Sequence, residues 1–119
     1  MTKEELKHFL DKLFPDFKNS WESEENYSKD DNGNYTYHGL FSEFSNYFRD
    51  NFSQITQKQM QELFGNIEKW VVADPNDKSS LVNAACTCFL ENIAGAVPKN
   101  ELLKFIGTKS LKYYSHWDK

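Results

Sequence analysis

The chain has 119 residues and a mass of 14.0 kDa; 27% of residues are charged, 16% are aromatic, and the formal net charge is −4. That length fits about one domain, and ten phenylalanines supply enough apolar bulk for a core without disulfide or metal staples. A mean hydropathy of −0.76, with no apolar run approaching ~20 residues, excludes a membrane span, and an acidic balance without a basic stripe excludes ordinary nucleic-acid binding.

Thr2-Lys3-Glu4-Glu5 fits a capping box, in which hydroxyl and carboxylate satisfy orphan amides reciprocally. Leu6, Phe9, Leu10 and Leu13 follow at helical spacing, and Pro15 stops that helix. The amphipathic N-terminus carries Glu4 and Glu5, so it does not read as a signal peptide, and the expected compartment is the cytoplasm. A short acidic helix over 17–27 would turn Phe17 and Trp21 to the core. Residues 28–39 have loop chemistry throughout; Asn32-Gly33 signals a turn, and a small hairpin would carry Tyr35 and Tyr37 on one strand.

Helical periodicity returns over 40–52 through Phe41, Phe44, Tyr47, Phe48 and Phe52. A second capping box, Thr56 to Gln59, opens a helix whose apolar stripe runs from Met60 to Val71, with a turn at 74–77. Gly65 lies inside this helix, and close helix packing is the expected reason. Residues 80–95 form the least charged stretch of the chain, with Glu91 the only carboxylate and no basic residue. As a helix it is apolar on nearly every side and belongs in the middle of the domain, ending at Gly95 in a left-handed cap. Pro98 suits a first helical turn, Gly107 reads as another cap, and a last helix starts near Lys109. The fold class is all-α: six or seven short antiparallel helices in one domain over 1–119, as an irregular bundle or solenoid-like array.

Chemistry is sparse. Cys86 and Cys88 are two residues apart, which on a helix points them about 200° apart, so they read as reduced structural thiols with neither a disulfide nor a zinc site. Placing Gly33 at the sixth position of a calcium loop puts Gly39 at the twelfth, where the bidentate Glu is required, so no metal is expected. Asn34-Tyr35-Thr36 matches a glycosylation sequon, which has no meaning for a cytoplasmic chain. His8, His38 and His116 share no ligand-like spacing, and phosphate loops, nucleophile elbows and zinc-protease motifs are missing; no catalytic residue and no cofactor is assigned. On the apolar helix, Asn83, Thr87 and Glu91 make one polar stripe, either its solvent-facing strip or the wall of a small-ligand or enzymatic pocket.

The charge is uneven. Residues 11–31 hold seven acids against three lysines, whereas residues 99–119 hold five lysines against two acids. Glu22, Glu24, Glu25, Asp30 and Asp31 cluster in sequence with Trp21, Tyr27, Tyr35 and Tyr37, a composition that suits binding to a basic protein. The bland alternative is a solvated turn whose tyrosines cover core.

The strings WESEENY, HGLFSEFSNYF and CTCFLENIAG resemble a family of small, uncharacterised, mostly bacterial helical proteins, over almost the whole chain. Size, acidity and the lack of catalytic motifs are also similar to immunity proteins of polymorphic toxin systems. That resemblance implies a protein-interaction module that neutralises a basic toxin domain by stoichiometric occlusion. A self-associating structural protein is the third reading, with the oligomeric state left open.

Overall fold

The computed structural model describes residues 1–23, 26, 29, 32–74 and 79–117, and for Lys112, Ser115, His116 and Trp117 the backbone alone. Among these residues the chain is all-α. In order come α1 (Lys3–Leu13), α2 (Phe17–Glu22), α3 (Tyr37–Asp50), a 3₁₀ turn (Phe52–Gln54) and α4 (Gln57–Ala73). They are followed by α5 (80–93), α6 (Lys99–Leu102) and α7 (Thr108–Trp117).

Both capping boxes form. The Thr2 hydroxyl accepts from the Glu5 N–H while the Glu5 carboxylate accepts from the Thr2 N–H, and Thr56 and Gln59 repeat the arrangement. Gln59 also donates from its amide nitrogen to the Leu13 carbonyl, tying the start of α4 to the end of α1. The third start differs from expectation. The Thr36 hydroxyl accepts from the Gly39 N–H, so α3 begins at Tyr37. Tyr37 is therefore helical and not on a hairpin strand; among the described residues an antiparallel bridge joins Lys29 and Tyr35, with Gly33 at φ +82° between them.

Helix α5 is the hub. It packs on α3, α4 and α7, and Val82, Ala84, Ala85, Cys86, Phe89, Leu90 and Ile93 are all buried. It is not uniformly α: Ser80–Ala84 passes into a π-helical turn, Ala85–Leu90, before Glu91–Ile93. There the Glu91 N–H donates to the Cys86 carbonyl, five residues back. Such a turn adds one residue without lengthening the interface and often marks a functional site. It ends as expected, with Gly95 in the left-handed region at φ +76°.

Two glycines behave differently from expectation. Gly65 is exposed, and a Cβ there would meet no atom, so close packing does not explain it. Gly107 is not left-handed; it is needed because a Cβ would overlap the Glu68 side chain. Glu68 crosses from α4 to accept from the Lys109 N–H at 3.0 Å, the Ser110 N–H at 2.8 Å and the Ser110 hydroxyl at 2.9 Å. Burial opposes its charge, but the Lys109 and Ser110 donors and the Lys109 ammonium outweigh it and hold the carboxyl below its ordinary value. A carboxylate from one helix thus caps the first turn of another.

Candidate functional site

The aromatic end of the domain is built on Trp21 and Tyr35. Trp21 closes the core, with Phe17 beneath it at 6.3 Å between ring centroids. Tyr35 packs edge-on against Trp21 at 5.1 Å. Lys3 donates to the Tyr35 carbonyl at 3.0 Å and stands over the Tyr35 ring, while Lys7 and Lys29 stand over Trp21. Lys29 also approaches Glu22 at 3.7 Å, and the Asn26 side-chain amide donates to the Trp21 carbonyl at 2.9 Å. Burial, reinforced by Glu4 and Asp11, pushes the Tyr35 phenol above its ordinary value, so it stays neutral. Tyr37 gives its hydroxyl proton to the Met1 carbonyl at 2.7 Å.

Trp21 is buried and serves the core, while Tyr35 and Tyr37 are half-buried and keep part of their surface open. Glu22 is exposed beside them, as are Asn32, Gly33 and Asn34 in the turn. Glu24, Glu25, Tyr27, Asp30 and Asp31 lie outside the described residues.

The polar stripe on α5 is half-buried at Asn83, Thr87 and Glu91. Thr87 donates its hydroxyl proton to the Asn83 carbonyl at 2.8 Å, so part of the stripe is spent inside the helix. Two clefts lie away from it. One of about 400 Å³ opens between the 3₁₀ turn and α6, lined by Phe52, Ile55, Met60, Pro98 and Phe105. The other, about 480 Å³, is a shallow trough along α1 beside Glu5, His8, Phe9 and Lys12.

Beside the stripe is a pair that the sequence does not announce. His38, on the first turn of α3, places Nδ1 3.2 Å from the Cys88 sulfur. Cys86 is buried as expected, but Cys88 is half-buried, and neither forms a disulfide. The Asn92 amide donates to the Cys88 carbonyl at 2.8 Å, and the Thr87 hydroxyl lies 3.6 Å from the sulfur. Fifty residues separate His38 from Cys88, and only the packing of α3 on the π turn joins them. Among the described residues no group of three or more His, Cys, Asp or Glu side chains is placed to hold a metal ion.

The fold and this site define a small all-α protein with an aromatic hub. The chain belongs to the family described as Domain of unknown function (DUF7674), whose model matches residues 7–119. No curated protein and no solved structure matches the chain. Among the described residues no helix is long and apolar enough to cross a membrane.

Proposed function

We propose that the chain is a protein-interaction module whose acidic segment, 22–34, recognises a basic protein surface. The observation that supports this most is how the segment is held. Both of its ends return to one aromatic pair, through Trp21 at the start and through Tyr35 with its Lys29 bridge and Lys3 hydrogen bond at the close. Between those ends lie Glu24, Glu25, Asp30 and Asp31 in sequence, and the turn at 32–34 is exposed. The described ends, Trp21–Glu22 and 32–35, are fixed in this way, which lowers the ordering cost of binding there. Its carboxylates would steer a cationic partner and make association fast and salt-sensitive.

In its finer form the proposal is an immunity-type protein: the acidic segment covers the basic active surface of a toxin, one to one, without chemistry. The test is co-purification with the product of the adjacent gene. Binding that is lost when Glu22, Glu24, Glu25, Asp30 and Asp31 are all changed to Lys supports the proposal. Binding indifferent to those changes rejects it.

A further inference from the structure

We propose that Cys88 is a thiol-modification site that forms mixed disulfides with low-molecular-weight disulfides, with His38 as the proton partner of the attacking sulfur. This stands apart from the binding surface above and does not depend on it. Three observations carry it. The His38 Nδ1 lies 3.2 Å from the sulfur, which is hydrogen-bond distance for a thiol. Cys88 is half-buried and His38 exposed, so the pair lies at the edge of the core, whereas Cys86 is fully buried. Thr87, the other polar neighbour, has already given its hydroxyl proton to the Asn83 carbonyl and has none left for the sulfur. Of the two, only His38 can both take the thiol proton and then hold a thiolate by an N–H donor.

The π turn sets this geometry. Thr87 and Cys88 sit at its outer side, while Ala85, Cys86, Phe89 and Leu90 fill the core. His38 belongs to the first turn of α3, whose positive dipole end favours an anion nearby.

The step balances as thiol–disulfide exchange. The Cys88 proton passes to His38 Nδ1, and the thiolate attacks one sulfur of R–S–S–R. A Cys88–S–S–R bond forms as the original S–S bond breaks, and the departing thiolate takes a proton from His38 or water. The reagent's disulfide is the oxidant. Cys86 faces the core on the other side of the turn and cannot resolve the adduct, which persists until an external thiol removes it.

The native chain is incubated with oxidised glutathione, and the adduct is located by peptide mass mapping, which needs no substitution. One adduct on Cys88 and none on Cys86 is expected. Cys86→Ser should react at the native rate, and His38→Gln should slow the reaction by about tenfold, a modest factor because thiolate nucleophilicity falls with its basicity. Circular dichroism melts confirm that each variant folds. An adduct on Cys86, no adduct on the folded chain, or an unchanged rate in a folded His38→Gln overturns the proposal.

Discussion

Phe89 lies 5.2–6.1 Å, centroid to centroid, from four other rings, those of Phe41, Phe44, Phe48 and Phe64. Truncating it removes both the transferred surface and the filling of a close-packed space, so Phe89→Ala should cost about 3–5 kcal/mol, read as a lower urea midpoint. A loss under about 1 kcal/mol would mean that the hub tolerates a void. Gly65 makes the opposite case. It weakens α4 and gives nothing back, since a Cβ there points into open space. Gly65→Ala should therefore stabilise by about 0.5–1 kcal/mol, seen as a higher melting temperature. A fall in melting temperature would show that something else requires the bare backbone. Ring positions such as Phe44 and Phe48 were legible from periodicity, but the freedom around Gly65 was not. A helical pattern says which face is apolar, not whether a neighbour comes close.

At the level of elements, local signals are legible in the sequence and distant ones are not. The boxes at Thr2 and Thr56 lie within four residues, and both form. The cap on α7 comes from Glu68, about forty residues away, and no local pattern announces it. Gly107 was legible as a special position, but the reason is the carboxylate passing over it. Glu68→Ala should cost about 1–2 kcal/mol, the range of a lost charged N-cap. Gly107→Ala should also destabilise, by displacing Glu68, yet in the Glu68→Ala background it should be neutral or stabilising. Denaturant titrations of the four proteins in that cycle test the coupling, and simple additivity would contradict it.

The same cap predicts a pH dependence. The Glu68 carboxyl is held below its ordinary value of 4.5, so its stabilisation is fully present above that value. It is lost as pH falls through the lower folded value. Glu5 is shifted the same way, chiefly by the Thr2 N–H, and adds to the same acid limb. Glu68→Gln should flatten that limb in melts taken from neutral to acid pH; an unchanged limb would remove Glu68 from the account of acid unfolding. The π turn in α5 was also hidden, because an i→i+5 bond has no side-chain signature of its own. Reading 80–95 as plain α placed it at the centre of the domain but left the approach of His38 to Cys88 unseen.

For the whole molecule, the radius of gyration is 13.4 Å, against about 13.5 Å expected for a folded chain of this length. The all-α class and the central position of α5 followed from the spacing of apolar residues and from prolines that fall between helices. The build of the acidic end was legible only in part: its carboxylates stand in the sequence, while the seating of Trp21, Tyr35 and Tyr37 depends on contacts with α1 and with Met1. The recognition proposed for segment 22–34 is electrostatic. Its most direct measurement is titration calorimetry of the chain against the co-purified adjacent-gene product, at about 50 and 200 mM salt. The native chain should bind one to one and lose about tenfold or more in affinity at the higher salt. The variant with Lys at 22, 24, 25, 30 and 31 should fold but bind far more weakly at both. Equal affinity for the two chains, or binding insensitive to salt, would contradict the claim.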